Sequence, residues 1–200
     1  MRAFFECAAP ISCVCSWNVW NRMRTAIEKH KECSPDASRP KPLMIGNVVV
    51  DPPLIIAPMA GVTDAPFRRV MLKHGAGMAT TEMISTEGIR RSQPATWSMC
   101  EIDRDLREPV AVQLFGRDPV AMAEAARMLE QRGAPLLDVN AGCPVKKVVR
   151  QGAGAALLRK PELLAALVEA IKKAVSIPVT VKIRLGWDSR SIQVIDVVKR

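Results

Sequence analysis

From residue 43 onward, short apolar runs alternate with amphipathic stretches. The segment "MIGNVVVD" is typical of a short hairpin strand, and compact apolar strands are predicted at 53–59, 77–83, 109–116, 134–142 and 177–186. Between them, the spacing of apolar positions predicts helices over 64–75, 118–133 and 161–176, a short helical piece at "STEGIRR" and a further helix over 191–200. Asp64 and Asp118 precede two of these helices as N-caps, and Gly75 and Gly133 end them.

Nearly all-apolar strands that alternate with helices indicate a parallel sheet covered by helices. In a (β/α)₈ barrel the carboxyl ends of the strands build the active-site face. A doubly wound sheet is the competing fold, but the first strand runs into "APMAGVTD" and not into a G-x-G-x-x-G phosphate loop. Polar residues and one methionine gather where the predicted strands end, namely Met59 with Thr63, Glu82, Gln113, Asn140, and Lys182 with Arg184.

Five strand–helix units cannot close an eight-unit barrel. We therefore predict an α/β fold, a TIM barrel truncated after about five β/α units. Residues 1–42 are rich in Cys and Trp, then polar, and show no sustained period, so they are predicted to form a weakly ordered N-terminal extension. Residues 43–200 then form the N-terminal part of the barrel.

Composition narrows the class of protein. The net charge of +9 favours an anionic partner such as nucleic acid, although a basic surface that only keeps the protein soluble is the alternative. The six cysteines show no C-x-x-C and no paired His, so we expect reduced thiols in a cytoplasmic protein and no metal site. No run reaches the roughly 20 apolar residues of a membrane span.

Four motifs carry a resemblance to a known family. In order along residues 43–200, "APMAGVTDAPFRR", "VAVQLFG", "DVNAGCPVKKVVRQGAGAALL" and "IPVTVKIRLGWD" resemble the tRNA-dihydrouridine synthases, specifically the B-type bacterial branch. The resemblance implies an FMN-dependent TIM barrel in which NADPH reduces FMN and FMN reduces tRNA uridines to 5,6-dihydrouridine. It also implies a helical tRNA-binding domain and FMN-phosphate contacts that would lie beyond residue 200.

The resemblance also implies a cofactor site. A buried amide such as that of Gln113 needs partners, which the flavin pyrimidine ring or the backbone of a neighbouring strand could supply. Lys182 would stabilise the negative charge of reduced flavin, or simply extend its ammonium to the barrel mouth. Asn140 would bind flavin or the target base. The family's cofactor contacts correspond to Pro58, Met59, Ala60, Gln113, Asn140 and Lys182.

Cys143 is the predicted catalytic residue. Reduction of uridine requires a hydride at C6 and a proton at C5 from the opposite face, and an unperturbed thiol is mostly protonated at neutral pH. The resemblance assigns this general-acid role to Cys143, whereas a buried structural thiol is the alternative. Gly142 allows close approach of the backbone there, and Pro144 rigidifies the turn.

The segment 146–160 carries five basic side chains and no acidic one, and it is interpreted as a loop that meets RNA phosphates beside the active site, with a merely solvated charge run as the alternative. The target uridine would have to leave its stack to reach the site. A monomer is expected. Two other functions stay open, an FMN barrel of the dihydroorotate dehydrogenase type and a non-catalytic basic RNA-binding fragment. The predicted tRNA contacts are Lys146, Lys147, Arg150 and Arg184.

Overall fold

The computed structural model describes residues 40–102, 105–188 and 190–199. The predicted extension over 1–42 lies, except for residues 40–42, outside the described residues. The described chain begins with an antiparallel hairpin of strands β1 (Leu43–Ile45) and β2 (Val48–Val50). This hairpin matches the prediction for "MIGNVVVD".

A parallel sheet and its helices follow the hairpin. The strands of the sheet are β3 (Ile55–Ile56), β4 (Met78–Thr80), β5 (Ile84–Ser85), β6 (Val110–Phe115), β7 (Leu137–Ala141) and β8 (Val179–Ile183). The helices are α1 (Ala65–Lys73), α2 (Thr86–Arg90), α3 (Pro94–Met99), α4 (Pro119–Gln131), α5 (Lys146–Arg150), a 3₁₀ helix (Gly154–Arg159), α6 (Pro161–Ala174) and α7 (Val194–Val198).

The order of the strands identifies the winding of the sheet. Neighbours run β3-β4-β6-β7-β8 in parallel, and β5 also pairs with β6. With β4 and β5 sharing one position beside β6, the positions of the sheet follow the order of the chain. A doubly wound sheet would instead reverse its order at a switch point. The predicted (β/α) barrel winding is therefore confirmed.

Strands β4 and β5 together occupy one position in the sheet, and the pairing with β6 is interrupted between them. Thr80 pairs with Ala111 and Ile84 with Leu114, so four steps along β4–β5 match three steps along β6. One extra residue in a strand is a β-bulge, which re-aims side chains locally. It places Glu82 and Met83 outside the regular ladder.

The two faces of the sheet differ sharply. Val112, Val139 and their apolar neighbours two positions away pack against helices α4 and α6 in the main hydrophobic core. Because side chains alternate along a strand, the residues between them point to the opposite face, the barrel interior. Three registered neighbours on that face are polar: Gln113 pairs with Asp138, and Asp138 with Thr180.

The predicted helix ends agree with the observed caps. The Asp64 carboxylate accepts a hydrogen bond from the Phe67 N–H at 2.9 Å, and Asp118 accepts from the N–H groups of Val120 and Ala121 at 2.8 and 3.1 Å. Gly75 and Gly133 follow helices α1 and α4 with φ of 98° and 91°. These are left-handed values that favour glycine.

Two predictions about local structure were wrong. The strand predicted as buried over 53–59 is only β3, and Leu54 beside it is 54% exposed, because β3 pairs with β4 on one side and with no other strand in the described part of the chain. The predicted basic loop over 146–160 is helix α5 and the 3₁₀ helix, since Val148, Leu157 and Leu158 are buried. Helix α3 was not predicted.

Within the described residues, no helix has the length and apolarity needed to cross a membrane.

Candidate active site

A cavity of about 290 Å³ opens at the carboxyl ends of the strands. Larger cavities of about 490 to 540 Å³ lie elsewhere, but this one combines apolar walls with convergent polar side chains, the usual composition of a ligand site. Six of the predicted site residues line it together. The lining consists of Pro58, Ala60, Met83, Gln113, Asn140, Gly142, Cys143, Pro144, Val145 and Lys182.

A chain of hydrogen bonds runs from Asp138, beneath the cavity, to the cavity rim. The Gln113 Nε2 donates to the Asp138 carboxylate at 2.6 Å, and the Asn140 Nδ2 donates to Gln113 Oε1 at 2.9 Å. Asn140 Oδ1 then accepts from the backbone N–H groups of Gly142 and Cys143 at 3.2 and 2.9 Å. The two amides are therefore oriented before any ligand arrives.

This chain changes the interpretation of Gln113. Its side chain is fully buried, and the partners of its amide within the protein are the side chains of Asp138 and Asn140. The backbone of a neighbouring strand, one of the two partners expected from sequence, is not used by the side chain. A ligand would meet Gln113 and Asn140 as a linked pair.

Asp138 is the site residue that sequence reasoning missed. It is 7% exposed, and burial raises the pKa of its carboxyl group, although hydrogen bonds from Gln113 and Thr180 and the charge of Lys182 oppose the shift. The available signal was the alternation in "LDVNA" and "VTVKI", which sets polar residues on one face of an otherwise apolar strand. Thr180 was missed for the same reason.

Cys143 lies at the rim on a tightly held turn. It is half-buried, its N–H donates to Asn140 Oδ1, and its carbonyl oxygen accepts from the Ala155 N–H at 3.0 Å. Cys100, the other cysteine in the described part of the chain, is buried and donates to the Thr96 carbonyl oxygen, and burial raises its pKa to about 12. Of these two thiols, only that of Cys143 lines the cavity.

Lys182 is exposed and lines the cavity beside Asn140, its partner in the β7–β8 register. Its side chain is therefore open to solvent, and β8 has no further strand beside it in the described part of the chain. Its charge still acts on the floor of the site, because it opposes the upward shift of the Asp138 pKa.

Met59 does not join the cavity wall. Its side chain is 41% exposed, while its N–H donates to Thr63 Oγ1 at 3.0 Å within the turn after β3. The Glu82 carboxylate, in the bulge, accepts from the Gly61 N–H and ties that turn to the next strand position. Pro58 and Ala60 on either side of Met59 do line the cavity.

The four predicted RNA contacts are all exposed, but they are not all in one place. Lys146 and Lys147 open helix α5 directly after Val145 on the cavity wall. Arg184 lies against Gly142, where a Cβ atom would be 3.3 Å from the arginine Cγ. Arg150 instead lines a separate cavity that it shares with Arg117.

Similarity to known proteins covers the same part of the chain that forms the sheet and the cavity. A family model described as "Dihydrouridine synthase (Dus)" matches residues 55–200. A "Probable tRNA-dihydrouridine synthase" of Rhodobacter capsulatus is 39% identical over 158 residues, which cover 79% of this chain and 49% of the relative. A "tRNA-dihydrouridine synthase B" of Vibrio cholerae is 45% identical over 152 residues, which cover 74% and 45%. The chain spans about half the length of the curated relatives it matches.

Proposed function

Because the chain belongs to the dihydrouridine synthase family, we propose that it reduces uridines of tRNA to 5,6-dihydrouridine. The observation that carries the proposal is the meeting of Gln113, Asn140 with Cys143, and Lys182 at one cavity on the carboxyl side of strands β6, β7 and β8. This is the face on which (β/α) barrels place their active sites. Members of the family named in the comparisons are synthases of dihydrouridine in tRNA.

The cavity suits a flat ring with a polar edge. Pro58, Ala60 and Met83 provide apolar walls, and Lys182 provides a cation at the mouth. FMN bound here, with NADPH as its electron donor, would supply a hydride for uracil C6. Pro58, Ala60, Gln113, Asn140 and Lys182 would hold it, and Met59 would contribute only through the turn that it shares with Pro58 and Ala60.

Cys143 is the general acid of the proposal. Its Sγ–H gives a proton to uracil C5 on the face opposite the hydride, so hydride and proton together saturate the C5–C6 bond. The sulfur that remains as thiolate is reprotonated from solvent. Lys182 lines the same cavity and stabilises negative charge there. The half-burial of Cys143 and its place on the cavity wall support the role, whereas Cys100 lies in the core.

The substrate is placed by the basic rim. Lys146 and Lys147 next to the cavity wall, and Arg184 beside Gly142, present cations to RNA phosphates, which position a substrate without reading its sequence. The target uridine leaves its base stack to enter the cavity, as bases do in enzymes that modify a single nucleotide. Arg150, on its separate cavity, would contact a more distant phosphate.

The test compares Cys143→Ala with the matched variant Cys100→Ala. We expect flavin absorbance bands and oxidation of NADPH in all three proteins, and we expect dihydrouridine formation on unmodified tRNA to fall by about 10² to 10⁴ in Cys143→Ala alone. Dihydroorotate, offered as the alternative substrate, should not turn over. Reduction of tRNA by Cys143→Ala at the parental rate would contradict the acid role, and absence of both flavin and tRNA reduction would contradict the function.

A further inference from the structure

The proposed reaction does not use the buried carboxyl group of Asp138. Asp138 lies on strand β7 beneath the cavity, 7% exposed, and its two oxygens accept from Gln113 Nε2 at 2.6 Å and from Thr180 Oγ1 at 2.7 Å. It does not line the cavity wall. A buried carboxylate is costly, and here it is retained next to the two amides of the site.

The hydrogen-bond chain above Asp138 has a direction. At the rim, the N–H groups of Gly142 and Cys143 can only donate, so Asn140 must present its oxygen to them. The Asn140 Nδ2 therefore faces Gln113 and requires the Gln113 oxygen as acceptor. That choice turns the Gln113 Nε2 toward the floor of the site, where it requires an acceptor.

We propose that Asp138 is the positioning residue of this site: its carboxylate is the acceptor that stabilises the orientation of the Gln113 and Asn140 amides required by the rim, and it thereby holds the turn that carries the Cys143 thiol. A residue without an acceptor at this place would leave the Gln113 Nε2 buried and unpaired. Rotation of both side-chain amides by half a turn would then become less costly. Such a rotation would turn Asn140 Oδ1 away from the Cys143 N–H, which would lose its partner. The proposal rests on the proposed function for its catalytic meaning, but not for its structural content.

The orientation survives protonation of the carboxyl group. Burial favours the neutral form of Asp138, and the Thr180 hydroxyl can accept a hydrogen bond as well as donate one. A protonated Oδ1 would then donate to Thr180 while Oδ2 continues to accept from Gln113. Asn at this position would mimic that neutral form, with its amide nitrogen toward Thr180 and its oxygen toward Gln113.

The experiment measures how fast iodoacetamide alkylates Cys143, resolved by mass spectrometry, with buried Cys100 as the internal control. In Asp138→Ala we expect the alkylation rate at Cys143 to rise by about tenfold. The unpaired Gln113 Nε2 would make opening of the turn that carries Cys143 more favourable by about that factor. In Asp138→Asn the rate should stay within about twofold of the parent. Thr180→Val, which removes the other hydrogen bond to Asp138, should also stay near the parental rate.

Turnover provides a second readout. For tRNA reduction, Asp138→Ala should lower kcat and leave KM nearly unchanged, because the basic rim that binds RNA is intact, and Asp138→Asn should restore kcat. A folded Asp138→Ala protein with parental alkylation overturns the proposal. So does an Asp138→Asn protein as impaired as Asp138→Ala, because charge and not orientation would then matter. Alkylation is read without turnover, so failure of the proposed function does not affect it.

If Asp138→Ala does not fold, the proposal is tested on the unsubstituted protein. The side-chain amide hydrogens of Gln113 and Asn140, observed by nitrogen-15 nuclear magnetic resonance, should exchange slowly with solvent in the parent and in Asp138→Asn. Freely exchanging amides in the parent overturn the proposal.

Discussion

At the level of single residues, Gly154 determines how closely the segment after the cavity approaches Cys143. Its φ is 60°, and a Cβ atom there would be 2.7 Å from the Cys143 carbonyl oxygen and 2.8 Å from Val148 Cγ1. Both distances are far below van der Waals contact. Gly154 is therefore required for two reasons, its backbone conformation and the close approach of the Cys143 main chain.

Replacement of Gly154 separates these two reasons when it is compared with Gly152. Gly152 has a φ of 75°, but a Cβ atom there would meet only the flexible Arg117 side chain, at 3.4 Å. We expect Gly152→Ala to lower the free energy of unfolding by roughly 1–2 kcal/mol, the cost of a left-handed residue with a side chain. Gly154→Ala should cost roughly 3 kcal/mol, because a steric clash is added. Denaturant titration measures both, and equal losses would contradict the close contact.

The buried carboxyl group makes a prediction about pH. An acid whose pKa is higher in the folded than in the unfolded protein binds more protons when folded, so stability falls as the pH rises. For Asp138 the fall begins near the ordinary value of 3.8, continues through the raised folded pKa and then levels off. The free energy of unfolding of the parent minus that of Asp138→Asn should therefore decrease across this window. Denaturant titrations at a series of pH values measure it, and a flat or rising difference would show that burial does not dominate.

At the level of elements, the bulge between β4 and β5 connects the sheet to the turn after β3. The extra residue frees Glu82 to accept from the Gly61 N–H and places Met83 on the cavity wall, where its sulfur lies 3.7 Å from Asn140 Nδ2. Thr81, directly after β4, still donates its N–H to the Ala111 carbonyl oxygen at 2.9 Å, and its Oγ1 accepts from the Gln113 N–H at 3.0 Å. A regular strand would turn these side chains to alternating faces, so the bulge shapes one side of the site.

Helix α4 depends on its N-cap. The Asp118 carboxylate accepts from the N–H groups of both Val120 and Ala121 and has a favourable interaction with the helix dipole. We expect Asp118→Ala to lower the free energy of unfolding by about 1–2 kcal/mol, and Asp118→Asn, which keeps the acceptor, by less than half of that. Thermal or denaturant unfolding measures the loss. Equal losses in the two variants would mean that charge and not the cap hydrogen bonds stabilises this end.

At the level of the whole molecule, the chain has a net charge of +9, and the positions of its basic side chains determine which of them could contact RNA at the cavity. Lys146 and Lys147 begin helix α5 at the carboxyl side of the sheet, next to the cavity. Lys172 and Lys173 lie in the last turn of helix α6, which returns the chain to the opposite side, before β8 begins. The proposed function requires only the first pair to contact RNA.

Salt dependence of RNA binding tests this placement. Each phosphate contact with single-stranded RNA adds about 0.7 to the slope of log affinity against log salt concentration. We expect the double variant Lys146→Gln with Lys147→Gln to reduce the slope by about 1.4, if both lysines contact phosphate, and to weaken binding. The matched double variant Lys172→Gln with Lys173→Gln should leave the slope within about 0.3 of the parent. Similar changes in both would indicate binding through net charge alone.

The sequence by itself determined the class of fold, the helix caps at Asp64 and Asp118, and the meeting of Gln113, Asn140 and Lys182 at one edge. Cap residues and apolar periodicity act locally, and the carboxyl ends of parallel strands share an edge whatever their partners are. The rest depended on contacts between distant segments. Only tertiary structure paired residue 113 with 138, and 138 with 180, which placed the Asp138 carboxylate beneath the cavity as a partner of Gln113. Burial of Leu157 and Leu158 likewise turned the expected basic loop into helices, because apolar side chains there pack only once the sheet beneath them has formed.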